Sequence, residues 1–505
     1  MNQTGGPGLP QNRHHVHAAQ STPSTATMKN SALPFLLAGS IACVPNAHSG
    51  EPAPRPGPDT VLEKKSENPL SFLDGKVVFD LHEKLRFEAR HNNFDFNDSV
   101  NAFTDDAWLL QKFRLGLTLQ PTPWFKAYVQ AQDAREIDSD RPNIPGALAA
   151  EGDDNFDLYQ GYLEFSNYKV FPLGLKVGRQ ILTYGDERLV GPLDWNNFSR
   201  TFDAVKLRLE QPGWSVDLFT STPAVVSRDS FNTSDLFNGT ETGRNLVFSG
   251  IHFQTDAVPW GSYEAYSYVV DQALGNTSNL SGQLAARVFT GNPAERSDFV
   301  TLGMRAKGDP KKLHGFEFDV EANYQTGTVR DLDLQAFAAH AGAGYNFEAS
   351  WKPRLWLDYT YGSGDRNPAD GKIETFQNLF PTNHKFYGIM DLTAMQNMHH
   401  GIGGLRVNPS KSVTINLDYH AFFAASTDDV WYRANGLTAV RPLNAAARNA
   451  DPYRGSEIDL VATWKVSKNL QLQSGYAHFF AGNYLADTGT SDDADFGYLQ
   501  ATFNF

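Results

Sequence analysis

Cationic side chains recur at alternate positions along several stretches of this chain. Lys84, Arg86 and Arg90 lie on one such run and Lys112 and Arg114 on a second. Lys126, Lys176, Lys206 and Arg208 follow on others, and Arg305, Lys307, Arg354 and Arg406 come later. Rows of this kind can bind carboxylate groups through charge-assisted hydrogen bonds, often two in parallel for arginine. Successive weak sites along a wall let a polymer advance without being trapped. The competing reading is internal bracing, with Glu88, Glu164, Asp217, Glu317, Asp319, Glu321, Asp358 and Asp418 as the partners. Signals for covalent catalysis are poor: there is no G-x-S-x-G elbow, H-E-x-x-H pair or phosphate-binding loop. The chain reads as a non-enzyme.

Such rows need strands, because a strand sends successive side chains to opposite faces. Phe79, Leu81, Leu85 and Phe87 oppose Asp80, His82, Lys84, Arg86, Glu88 and Arg90. Phe113, Leu115, Leu117 and Leu119 oppose Lys112, Arg114, Thr118 and Gln120. Phe316, Phe318, Val320 and Ala322 oppose Glu317, Asp319, Glu321 and Asn323, and Val413 to His420 repeats the pattern. Charges this dense cannot sit in a dry core, so they meet water outside a sandwich or inside a wide lumen. Short Gly-, Pro- and Asn-rich turns alternate with long polar loops at roughly 92–106, 136–154, 184–200, 223–244, 272–297, 363–395, 425–455 and 482–493. The expected fold is all-β: a transmembrane antiparallel β-barrel of about 18 strands, with short periplasmic turns and long extracellular loops. Gln283 to Thr290 could be a strand but reads better as loop.

The other features agree. Mean hydropathy is −0.42, as expected when half of each strand faces water, and no apolar run of helix-spanning length follows the N-terminal region. A net charge of −14 argues against nucleic-acid binding. The single cysteine, Cys43, falls in a segment read as a signal peptide, residues 28–49, after a doubtful extension 1–27 and before a flexible leader 50–74. The barrel is assigned 75–505. The terminal alternation Leu499, Ala501, Phe503, Phe505 is similar to the last strand of outer-membrane proteins, which the barrel-assembly machinery reads.

A turn-rich stretch, Tyr184 to Arg200, separates two of these strands. Arg179, Asp186, Glu187, Arg188, Asp194 and Arg200 could fold it into the barrel mouth, with ion pairs fixing its shape; solvated loop charge is the equal alternative. Tyr128, Tyr162, Trp356 and Tyr498 fall on inward parity, where they could stack on sugars, whereas Trp464, Tyr359, Tyr361 and Tyr476 fit interfacial girdles. The acidic runs Asp153-Asp154 and Asp492-Asp493-Ala494-Asp495 could hold calcium at the rim. They lack a calcium-loop spacing, so solvated charge is preferred and no cofactor is assigned. His399 and His400 point to opposite faces and chelate nothing together.

Several motifs together carry a family resemblance. They are Val177-Gly178-Arg179-Gln180, Tyr184-Gly185-Asp186-Glu187-Arg188-Leu189, Gly191-Pro192-Leu193-Asp194-Trp195-Asn196-Asn197, Thr201-Phe202-Asp203-Ala204-Val205, Tyr361-Gly362-Ser363-Gly364-Asp365, and Leu379-Phe380-Pro381-Thr382-Asn383-His384-Lys385-Phe386-Tyr387-Gly388. In these the chain resembles the bacterial alginate-export family of outer-membrane porins. The resemblance implies a monomeric barrel, seated in outer-membrane lipid, that passes an anionic polysaccharide through an arginine-rich lumen. The weighed alternatives are a general or differently selective diffusion porin, a barrel enzyme acting on lipid, and a soluble carbohydrate-binding β-protein.

Overall fold

The computed structural model describes residues 69–505 apart from 100, 102, 142–150, 229, 235–245, 273–295 and 437. The expected N-terminal extension, the signal peptide, the first part of the leader and the candidate strand Gln283 to Thr290 lie outside the described residues.

Eighteen long antiparallel strands form the wall. The first six are β1 Val77–His91, β2 Asp106–Thr122, β3 Phe125–Ile137, β4 Asp154–Asn167, β5 Phe171–Gln180 and β6 Phe202–Gln211. Then come β7 Trp214–Val225, β8 Leu246–Thr255, β9 Gly261–Gln272, β10 Ser297–Gly308, β11 Phe316–Val329 and β12 Leu332–Asn346. The last six are β13 Arg354–Gly362, β14 Met398–Val407, β15 Val413–Ala424, β16 Tyr453–Lys465, β17 Leu470–Ala481 and β18 Ala494–Asn504. Each pairs with its sequence neighbours, and β18 closes on β1 with Lys84 opposite Thr502 and Arg86 opposite Gln500. The Phe505 N–H extends this seam by donating to the Leu81 carbonyl at 2.9 Å. Closure leaves no free edge, so every wall strand has a partner on both sides for its backbone groups.

The two faces separate as the alternation predicts. Phe87 is 46% exposed and faces outward, while Arg86 beside it is 1% exposed and faces in. Leu115, Val205, Leu207 and Leu499 are exposed on the outer surface, whereas Lys112, Arg114 and Tyr498 are buried inside. Two acids break the outer apolar stripe on β1 to β3. Glu83 accepts from the Gln111 amide at 3.1 Å, and Asp133 accepts from Arg135 Nε at 2.8 Å. Each thus has a partner on its own wall, as a polar group facing lipid requires.

Two connections depart from the sequence reading. β11 and β12 are joined by Arg330-Asp331 alone, with Arg330 at φ +55°. A tight outer hairpin therefore stands where no break was read, because Arg330 adopts a left-handed backbone without being Gly or Asn. The turn Tyr168 to Val170 between β4 and β5 has the same origin, since it carries no Gly or Pro. Near the start, Ser71–Phe72, within the segment read as leader, pairs with Val77 and Val78 of β1.

Leu499 and Gln500 are neighbours on opposite faces of β18. Leu499→Arg should destabilise the folded barrel by about 2–4 kcal/mol, the cost of a lipid-facing cation, and Gln500→Arg by well under half of that. Reversible urea unfolding in detergent micelles measures both; equal costs would reverse the face assignment.

Candidate functional site

Two of the long loops do not stay outside. Residues 181–201, between β5 and β6, and 363–397, between β13 and β14, pack into the lumen. Leu182, Val190, Phe376, Leu379, Phe380, Met390 and Leu392 are buried in one apolar cluster with wall residues Phe202, Phe219, Phe248, Tyr268, Phe299 and Leu334. The Phe380 ring lies 4.7 Å from Phe248 and 5.2 Å from Phe202, between ring centroids. Fully burying each such side chain contributes roughly 1.5–3 kcal/mol. Backbone bonds join the two loops: Phe380 N–H donates to Leu189 O at 2.8 Å, Gly191 N–H to Phe380 O at 2.8 Å, and Thr382 N–H to Glu187 O at 2.9 Å. Lys385 pairs with Glu187 at 2.7 Å.

The cationic row on β1 and β2 faces inward, and the first loop uses it. Lys84 Nζ donates to the Asp194 carbonyl at 2.7 Å. Lys112 Nζ reaches Asp194 O, Asp194 Oδ1, Asn196 O and Ser199 Oγ at 2.9–3.1 Å. Arg114 donates to Asp194 Oδ1 at 2.9 Å and Ser199 Oγ at 2.8 Å, and stacks on Tyr159. Arg86 binds Glu88 at 2.6 Å, the Trp195 carbonyl at 2.7 Å and Glu151 at 2.8 Å. Its guanidinium also lies 3.7 Å over the Trp195 ring, whose other face stacks on His384 at 3.7 Å. Arg90 holds Glu88 and donates to Met390 O at 3.1 Å. The position of Asp194 deep in the barrel disfavours its charge, yet Lys112, Arg114 and Lys84 outweigh that and hold the carboxyl well below the usual carboxylate range. Burial wins at Glu151, which is pushed up to about 7 despite Arg86.

A second ionic knot ties the same loop to the opposite wall. Arg188 Nε binds Asp186 at 3.0 Å, and its Nη2 reaches Asp358 of β13 at 3.5 Å. Arg305 of β10 binds Glu264 at 3.0 Å, Asp319 closely, and Asp186 at 3.7 Å. Burial acts to raise the Asp186 pKa, but Arg305 and Arg188 overcome it and hold it low. Asp186, Asp319 and His340 each offer one atom to a common point. Two guanidiniums already lie on that cluster, supplying the positive charge that a metal ion would bring. Arg200 donates to the Gly191 and Pro381 carbonyls at 2.9 and 3.2 Å; burial, opposed only by Tyr159, pushes its pKa down to about 9.

Of the six residues read as mouth-loop anchors, Asp186, Glu187, Arg188, Asp194 and Arg200 therefore fix the inserted loop. Arg179 does not join them. It pairs with Asp203, directly opposite on β6, at 2.9 Å and donates to the Leu158 and Asn232 carbonyls. The acids of the rim runs also have N–H partners: Asp493 accepts from Ala481, Asp492 from Asp98, and Asp154 from Gln132 and Asn232. His399 and His400 do face opposite ways, toward Tyr359 and His420.

The remaining cations lie nearer the short turns. Lys176 and Lys206 are register partners across β5 and β6, and Lys126 is opposite Glu164, which is in turn opposite Lys176. Lys176 Nζ lies 3.6 Å and Lys126 Nζ 5.9 Å from the Tyr162 ring, which sits 5.4 Å from Tyr128. Arg208 binds Glu210 and Asp217, and Lys206 reaches Asp217 at 3.4 Å. Further round, Arg354 pairs with Glu317 and stacks on Trp356 at 4.2 Å, while Arg406 donates to Asn416 at 3.0 Å. Sequence reasoning missed Trp195, His384, Glu151, His340, Glu457 and Asp459. The available signal was Leu379 to Met395, which carries too many apolar residues for a solvated loop.

Comparison with known proteins decides the family. The family model described as alginate export matches residues 77–498. The chain belongs to the alginate-export family. Search of curated proteins gave no match. Among solved structures, Pseudomonas aeruginosa OpdG has a TM-score of 0.55 at 11% identity, covering 85% of this chain and 98% of its own. OpdK with vanillate, from the same organism, has 0.54 at 9%, covering 85% and 98%. OpdR has 0.52 at 13%, covering 85% and 96%. These establish the shared barrel fold. With its membership, this alginate-export family member is an outer-membrane channel protein.

Removing the anion at the centre of the three cations should loosen the first loop. Asp194→Asn is expected to cost about 2 kcal/mol of loop docking, and native-state trypsin cleavage at Arg188 and Arg200 should quicken about thirtyfold. The folded Asp194 pKa lies below its unfolded value, so its contribution is complete above about pH 4 and is lost as pH falls through the folded value. Acid should therefore loosen wild type by more than it loosens Asp194→Asn, which keeps only the Asp186 and Glu187 anchors to lose. Unaltered cleavage in the variant would refute the anchoring role.

Proposed function

We propose that this channel passes an anionic saccharide, a uronate polymer or its oligomers, along the cationic wall of β3 to β6. One observation carries the reading. Among the described residues neither Lys126 nor Lys176 forms an ion pair, and Lys176 stands directly opposite a second lysine across the strand pair. Like charges in opposed positions destabilise a sheet, so an arrangement that keeps them suits an anion arriving from outside the chain. Tyr162 and Tyr128 beside them offer faces on which a pyranose ring can rest while its carboxylate meets the ammonium groups. Arg354, Trp356 and Arg406 repeat the pairing of cation and ring on another wall. By contrast Lys84, Arg86, Lys112 and Arg114 already serve the inserted loop, and their part in solute passage is indirect.

Planar-bilayer recordings test the reading. Wild type should be anion-selective and blocked by uronate oligomers. Lys176→Glu with Lys206→Glu should move the reversal potential toward cations and weaken the block about tenfold, roughly 1.4 kcal/mol. An unchanged reversal potential would remove this wall from the pathway. Equal block by neutral maltose oligomers would favour a general diffusion porin on the same fold.

A further inference from the structure

The second inserted loop is gripped at its tip by two carboxyl groups of the wall. Ile389 N–H donates to Asp459 Oδ2 at 3.0 Å, and Met390 N–H to Glu457 Oε1 at 3.0 Å. Gly388 sits directly on Glu457: its φ is +83°, and a Cβ there would fall 2.4 Å from Glu457 Oε2. Glu457 and Asp459 are 0% and 3% exposed and lie two residues apart on the inward face of β16, so that their carboxyl groups are neighbours. Among the described residues neither pairs with a lysine or arginine. The ionic partner of Asp459 is His420, whose Nε2 lies 3.3 Å from Oδ2. His420 Nδ1 in turn lies 2.9 Å from His400 Nε2.

One N–H lies between the two imidazoles. An arrangement with His420 Nε2–H donating to Asp459 gives that N–H to His400, whose Nδ1 is buried without a partner among the described residues. Glu457 Oε2 and Asp459 Oδ1 are likewise buried without a donor when both acids are drawn ionised. Two adjacent buried carboxylates with no full cation between them repel strongly, and one proton shared by those two oxygens removes both the repulsion and the two orphans. Other charged or titratable groups face the cluster from every side. Asp391, held by His384, comes from the loop, and Arg90 binds the Met390 carbonyl from β1. Asp418 of β15 and Tyr498 of β18 face Asp459, while Arg188 and His340 face His400.

We propose that Glu457 and Asp459 form a proton-operated latch on the inserted loop, closed while the pair shares a proton and released when that proton passes to lumen water. Loss of the proton leaves two carboxylates side by side in the wall. They separate toward solvent, and the N–H acceptors of Ile389 and Met390 move with them. The inference rests on the channel reading for its effect on conduction; the loop movement itself does not depend on that reading.

Glu457→Gln tests it, because the amide keeps an oxygen for Met390 and supplies a fixed N–H to Asp459, imitating the protonated acid. With Cys43 replaced by Ser, Met390→Cys reports loop position through labelling by a bulky water-soluble maleimide, corrected for the pH dependence of the free thiol. As pH is raised from neutral into the alkaline range, wild-type labelling and single-channel conductance should both rise, labelling roughly tenfold, and both should stay flat in Glu457→Gln. Labelling that rises without any conductance change would support the latch and count against the channel reading. Flat labelling in wild type, or the same rise in Glu457→Gln, would overturn the latch. Heat-modifiable mobility confirms that each variant is folded.

Discussion

In a bilayer no water is present to satisfy the backbone, so a wall of strands must close on itself before anything else can be built. The β1–β18 seam meets that demand here. Once the ring is closed, alternation leaves each strand one face for lipid and one for an enclosed aqueous space. Phe87 and Arg86, adjacent in sequence, end in opposite media for this reason alone. Density of charge on the inner face follows from closure, because that face is the only wet surface at membrane depth.

The inner charges then serve two separate purposes. Near the long loops they are structural. Lys84, Lys112 and Arg114 converge on Asp194, and Arg188 and Arg305 on Asp186, so that opposite walls hold one inserted loop from two sides. Apolar burial around Phe380 and the ion pairs act on the loops together. Nearer the short turns Lys126 and Lys176 form no ion pair among the described residues, and Lys206 reaches Asp217; the proposed solute would meet them there.

The second loop is attached differently. Its tip is held by carboxyl groups accepting backbone N–H bonds, with Arg90 taking the Met390 carbonyl. Bonds to backbone atoms are indifferent to the side chains of the loop, so that loop can carry the apolar residues that fill the lumen. A lysine or arginine beside Glu457 and Asp459 would stabilise both as carboxylates; among the described residues neither acid pairs with one.

Period-two patterning made the inward set from Lys84 to Arg406 legible, because alternation is a local property that closure only makes use of, and the repeat of short turns and long loops with the terminal aromatic strand pointed to a barrel of about 18 strands. Motif spacing also made the family legible, and the opposed charges of Asp186, Arg188, Asp194 and Arg200 pointed to a loop folded into the mouth. The partners were not legible. Nothing local distinguishes Arg114, which serves Asp194 eighty residues away, from Lys176, which has no ion pair among the described residues. The hairpin at Arg330, the outward-parity pair Arg179–Asp203 and the clasp of Glu457 and Asp459 on Met390 were likewise decided by tertiary structure. Each depends on which segments meet across the barrel. Distances between strands far apart in the ring are set only when the sheet curls shut and the loops fall inside it.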